Sequence, residues 1–140
     1  MGRILSIDYG RKRTGLAVTD ELQIIATPVG TFASSELIAV LKRYVAENPV
    51  ERFVVGEPRD LMNRPSEAEQ YIAPFLRLLE KEFPGIPIER VDERFTSKMA
   101  ARTIAESGLR KNDRRNKALV DQVSATIILQ SYLEMRSMRP

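Results

Sequence analysis

The sequence predicts an α/β fold built on one sheet of mixed direction. Two observations carry that prediction. The first third of the chain holds three apolar segments joined by short polar connections, the pattern of antiparallel hairpins. Beyond it, short apolar segments alternate with stretches of helical periodicity, which implies parallel crossovers. Mixed sheets of this kind place their functional groups at the carboxyl ends of the parallel strands.

In order along the chain, RILSIDY reads as a mostly buried first strand and GRKR as the turn after it. TGLAVTD is a second strand and IIATPVGTF a third. Ser34 or Ser35 offers a helix N-cap, because a hydroxyl there can accept from an unsatisfied backbone N–H. Leu37, Leu41, Tyr44 and Val45 then recur at helical spacing until Asn48 and Pro49 stop the helix. ERFVVGEP is a fourth, apolar strand ending at Gly56, and RDLMNRPSE a polar loop. A helix from Glu67 to Phe83 is closed by Pro84 and Gly85. IPIERV is a short fifth strand, and Thr96 or Ser97 caps a helix ending near Ser107 and Gly108. A basic loop leads to a last helix from about Arg115 to Met135.

The 140 residues fit one domain, 1–140, with no repeat, linker or low-complexity segment. Hydrophobic residues make up 43% and charged residues 29%, the balance of an ordinary globular protein. No apolar run approaches the roughly 20 residues that span a bilayer, so no membrane role is expected. MGRILS matches a loose lipidation pattern, but Ser6 falls inside the first strand and the match reads as chance. There is no His and no Cys, so hydrolysis must run on carboxylates, hydroxyls, Lys or Arg. The same absence excludes disulfides and thiolate metal sites and fits a reducing, cytoplasmic setting.

The net charge of +3 is unevenly spread: +1 over residues 1–33, −3 over 34–89 and +5 over 90–140. Basic residues gather at Arg11, Lys12 and Arg13 and again in GLRKNDRRNK at 108–117. Cations flanking isolated acids are the footprint of a polyanion handled together with a metal. Loop charges that merely face solvent would give the same pattern.

The isolated acids are Asp8 in SIDYG, the pair Asp92 and Glu93 in VDERFTS, and Asp121 in KALVDQVSA. Asp8 arrives at the end of an apolar strand, where a carboxylate needs donors or a cation; a turn cap for Gly10 and Arg11 is the plainer alternative. Asp92 and Glu93 follow the fifth strand directly, and that strand is too short for alternation to say which points inward. Asp121 lies in the last helix on the side of Ala125 and Ile128, bordering its packed face, or else pairs with Lys117 at i, i+4. Singly each has a local explanation. Together they suit hard divalent cations, Mg²⁺ or Mn²⁺, which prefer oxygen ligands. Two such ions about 4 Å apart support in-line phosphodiester hydrolysis without histidine.

Gly10 and Gly15 frame the loop DYGRKRTG, where a missing Cβ lets phosphate come close. Arg11, Lys12, Arg13, Arg94, Lys98, Arg110, Lys111, Arg114, Arg115 and Lys117 are the candidate nucleic-acid contacts. Arg94 is the best placed of them for a scissile phosphate, since it adjoins Glu93. Gly56, Glu57 and Pro58 close another strand, where they gate the site or turn the chain.

Four blocks in order, SIDYGRKRTGLAV, FVVGEP, VDERFTS and VDQVSATIILQSYLE, resemble the signature blocks of the YqgF family. Its members are called Holliday junction resolvases or pre-16S ribosomal RNA nucleases. The resemblance covers essentially the whole chain. It implies an RNase H-like fold, a five-stranded sheet of order 3-2-1-4-5, and Asp8, Glu93 and Asp121 as catalytic, metal-binding acids. Asp92 stays with them as a further candidate ligand. The chain departs from the family pattern at Glu57, where Leu is frequent, in a longer loop with Arg64 after Asn63, and at Ser124–Ala125 in place of two alanines. These bear on substrate shape rather than on the acids.

The expected function is therefore a metal-dependent nuclease, with pre-16S rRNA or the small-subunit precursor favoured over branched DNA. A non-catalytic RNA-binding module is the alternative from another class. An actin-like ATPase, whose first phosphate loop DYGRKRTG resembles, would need a second domain. A monomer or weak homodimer is expected.

Overall fold

The computed structural model describes residues 2–58, 62, 66–93 and 117–137, with side chains of the last helix described from Gln122 onward. The elements are β1 (Arg3–Tyr9), β2 (Arg13–Thr19), β3 (Ala26–Ala33), α1 (Leu37–Glu47), β4 (Val50–Glu57), α2 (Glu69–Glu82), β5 (Ile88–Asp92) and α3 (Lys117–Ser137). The strands form one sheet of order β3-β2-β1-β4-β5. The hairpin pairs β1–β2 and β2–β3 are antiparallel, whereas β1–β4 and β4–β5 are parallel. The mixed α/β sheet and its order are those expected.

Alternation along the strands sorts their side chains between two cores. Leu5, Ile7, Leu16, Phe53 and Val55 pack against Leu37 and Leu41 of α1 and Ile72, Phe75 and Leu79 of α2. Ile4, Ala17, Val54 and Val91 pack on the other side against Ala125, Ile128, Leu129 and Tyr132 of α3. A sheet covered on both faces explains why β1 and β4 read as nearly continuous apolar runs. Ser6 lies on the α3 side, fully buried, and its Oγ donates to the Ala125 carbonyl at 2.6 Å, fixing the helix over β1.

Three boundaries differ from the sequence expectation for identifiable reasons. β3 begins at Ala26 rather than Ile24, because the Asp20 carboxylate accepts from the N–H groups of Ile24 (2.8 Å) and Ile25 (2.9 Å). Those donors are held in an Asx-type turn and are lost to the sheet. Ser34 does not cap α1. Its Oγ donates to the Gly10 carbonyl at 2.6 Å and lies 2.8 Å from Thr14 Oγ1, so the hydroxyl locks the β1–β2 turn. A single 3₁₀ turn, Ser34–Glu36, leads into the helix instead, with no side-chain cap. Helix α2 starts at Glu69 because Ser66 Oγ accepts from Ala68 N at 3.1 Å and shapes a turn first. The helix expected after Thr96 and the basic loop at 108–116 lie outside the described residues.

Candidate active site

The carboxyl ends of the parallel strands meet at one edge of the sheet. Ile7 pairs with Val55, Val55 with Arg90, and Gly56 with Val91, so Asp8, Gly56 and Val91 stand at one level on three neighbouring strands, and Glu93 follows just past the end of β5. Since Ile4 and Ser6 face α3, alternation turns Asp8 to the α3 side as well. Val91 packs in the α3 core, so Glu93 takes that side and Asp92 the opposite one. Asp92, which the sequence left grouped with the other acids, is thereby separated from Asp8 by the sheet itself.

Glu93 must cross β4 to approach Asp8, and Gly56 lies on that path. A Cβ on Gly56 would sit 2.9 Å from Glu93 Cδ, 3.0 Å from its Oε1 and 2.8 Å from Ile128 Cδ1. Real Cβ atoms do not tolerate such contacts. The missing side chain is therefore the space that the Glu93 carboxyl and the α3 isoleucine occupy together. Ile128 packs beside the carboxyl in that space, and burial is the main cause of its perturbation.

Burial first, and then the negative charge of Asp8, raise the Glu93 pKa from 4.5 to about 7. Arg90 opposes the shift, while Asp92 and Glu69 add to it. Arg90 is held by its own bonds: Nη2 donates to the Gly56 carbonyl at 2.9 Å and to Glu69 Oε1 at 2.6 Å, and Nε to the Val55 carbonyl at 3.3 Å. One guanidinium thus ties the end of β4 to the first turn of α2 behind Glu93. In IPIERV alone, Arg90 is only a polar position in a strand.

The folded chain holds the Glu93 proton more tightly than an unfolded chain does. Stability from protonation is complete below the ordinary carboxylate range and is lost as pH rises through about 7. In chelator, the melting temperature of the wild type is expected to fall relative to Glu93→Gln between about pH 5 and about pH 8. A constant difference across that range would mean that the carboxyl is not held out of water against Asp8.

Two carboxyl groups near one sheet edge, close enough that the charge of Asp8 raises the Glu93 pKa, form a donor set of the kind that hard divalent cations take. The residues present fit such an ion. Helix α3 runs so that Tyr132 lies beside Arg52 and Ile128 beside Gly56. Its N-terminal turns therefore extend to the edge that bears Asp8 and Glu93, and position 121 falls there on the stripe of Ala125 and Ile128. The side chains of Lys117 and Asp121 lie outside the described atoms. Among the described residues no three acids form a metal-binding group.

The β1–β2 turn brings Gly10, Arg11, Lys12 and Arg13 to the same edge, and the three cations are exposed. A Cβ on Gly10 would lie 2.3 Å from the Arg13 carbonyl, so its glycine serves the tight turn. Arg11 lies over the Tyr71 ring, 5.6 Å from its centroid. Tyr9, on the face opposite Asp8, stacks on Phe75 at 4.2 Å and 10°, which anchors the strand end next to the acid. Arg94, Lys98, Arg110, Lys111, Arg114 and Arg115 lie outside the described residues.

The family model described as RuvX: Holliday junction resolvase matches residues 2–135. A Porphyromonas gingivalis protein is 60% identical over 134 residues, covering 96% of this chain and 97% of its own length. A Bacteroides thetaiotaomicron protein is 56% identical over 136 residues, covering 97% and 99%. Both bear the name "Putative pre-16S rRNA nuclease". The structure of Thermus thermophilus RuvC in complex with Holliday junction substrate aligns with a TM-score of 0.60 over 96% of each chain, at 17% identity, a likeness of fold. With the four sequence blocks, the sheet order and a match over nearly its full length in agreement, the chain belongs to the RuvX family, also called YqgF.

Proposed function

We propose that this protein is a divalent-metal-dependent nuclease that hydrolyses phosphodiester bonds in structured nucleic acid, with Asp8, Glu93 and Asp121 as its acids. The observation that carries the reading is the Glu93 carboxyl lying over Gly56, close enough to feel the charge of Asp8. Asp8 and Glu93 present oxygens from two strands, and Asp121 would add a third from the helix above. Bound Mg²⁺ or Mn²⁺ would neutralise these carboxylates, lower the pKa of an attacking water and stabilise the leaving oxygen. Arg90 holds the end of β4, where Gly56 leaves the room that the Glu93 carboxyl occupies. Arg11, Lys12 and Arg13, exposed at the same edge, are positioned to meet phosphates entering it.

The favoured substrate is the 5′ end of pre-16S rRNA in the small-subunit precursor, a cytoplasmic reaction. The names of the relatives at 54–60% identity support it. The family description supports a second reading, cleavage of branched DNA, which would require two sites related by two-fold symmetry.

The test is incubation of the purified protein with 5′-extended 16S precursor and with a four-way DNA junction, each with and without Mn²⁺. The expected result is Mn²⁺-dependent shortening of the RNA. Cleavage of the junction alone would select the second reading, and binding of either without cleavage would leave a binding module.

A further inference from the structure

The connection between β2 and β3 has its polarity reversed. Gln23, with φ of 60°, turns its amide inward, where Nε2 donates to the Gly2 carbonyl at 2.8 Å and to the Glu51 carboxylate. The Asp20 carboxyl is held below the ordinary carboxylate range by the N–H groups of Ile25 and Ile24. With its polar residues spent in this way, the turn holds Leu22, Ile24 and Ile25 outward at 67%, 67% and 63% exposure. Single exposed apolar residues are ordinary, but three on one pinned turn are not. Leu133 of α3 completes the surface. Between it and the turn lie two open troughs of about 490 and 410 Å³.

The rim of this surface is acidic in a chain that is basic as a whole. Glu134 lines one trough, and Asp20, Glu21 and Glu51 stand on or against the turn, four acids against Arg136 and Arg3, whose Nη1 donates to the Thr19 carbonyl at 3.0 Å. That charge opposes nucleic acid. It also opposes a two-fold pairing of the surface with itself, which would set acid against acid. β2 runs antiparallel to β1, so the turn lies at the end of the sheet away from Asp8, about 20 Å along a seven-residue strand.

We infer that the β2–β3 turn and the C-terminal half of α3 form a docking surface for a basic polypeptide segment carrying apolar side chains. The apolar side chains seat in the troughs and the cations meet the acidic rim. The carboxylate edge stays open while the surface is occupied. The inference rests on this face alone and holds whatever substrate the acids cleave.

The probes are three fluorescein-labelled peptides of one length: a Lys/Leu amphipathic sequence, its Glu/Leu counterpart and its Lys/Ser counterpart. Anisotropy titration is expected to give saturable Lys/Leu binding with a dissociation constant of about 10⁻⁵ M or tighter. The two counterparts should bind at least about tenfold more weakly. The surface variants Leu22→Ser with Ile24→Ser, and separately Glu134→Lys, should each weaken Lys/Leu binding about tenfold or more, with cleavage of the nucleic-acid substrate unchanged. The inference is overturned if no peptide saturates, if Glu/Leu binds as well as Lys/Leu, or if both variants bind like the wild type. It is also overturned if sedimentation shows a wild-type dimer that Leu22→Ser with Ile24→Ser dissolves, since the face would then be a self-interface.

Discussion

Asp8→Asn, Glu93→Gln and Asp121→Asn are each expected to lower cleavage by about 10³-fold or more while leaving a folded protein. Carboxylate and carboxamide have nearly the same shape, so the packing of Ile128 over position 93 survives the exchange. What is lost is charge. Glu93→Gln also removes the repulsion from Asp8 that raises the Glu93 pKa, so the metal-free variant should melt no lower than the wild type at neutral pH. The acids would act as one unit, and a double variant should be scarcely worse than either single one. The measurement is single-turnover cleavage in saturating Mn²⁺, with circular dichroism as the check on folding. More than about a tenth of wild-type activity in any of the three would break the three-acid assignment.

Gly56→Ala is expected to separate activity from stability. The added methyl falls under 3.0 Å from the Glu93 carboxyl carbon and from Ile128 Cδ1, each the far end of a flexible side chain. Both can yield, so the fold should lose only about 1–3 kcal/mol, the usual cost of overpacking. The carboxyl cannot yield without leaving its place opposite Asp8. A misplacement near 1 Å costs on the order of 10²-fold in rate, and that is the expected loss. The signature is a large fall in cleavage with a modest fall in melting temperature. Unchanged activity would mean that the carboxyl has other room to occupy.

The order of elements was legible in the sequence because hairpins and crossovers leave different periodicities, and that order fixes the edge where Asp8 and Glu93 meet. The choice between Asp92 and Glu93 was not legible from pattern. It depends on which face Val91 takes, and five residues of β5 carry too little alternation to reveal that. The resemblance supplied Glu93; the packing of Val91 against α3 supplies the physical reason. Gly56 read as the end of a strand because the approach it permits comes from three elements distant in sequence. Ile24 and Ile25 looked like the start of β3, and only the side chain of Asp20 removes them from the sheet.

The long reach of Ser6 to Ala125 bears on how the protein is made. One hydroxyl near the start of the chain is satisfied by a carbonyl 119 positions later. During synthesis from the N-terminus, Ile4, Ala17, Val54 and Val91 lack the cover that α3 gives them until that helix has been translated. Among the described residues, Ile128 of α3 closes over the space that the Glu93 carboxyl occupies. A nascent chain thus carries a sticky half-core and a Glu93 carboxyl without its Ile128 neighbour for most of its synthesis, and α3 reaches both in the same late event.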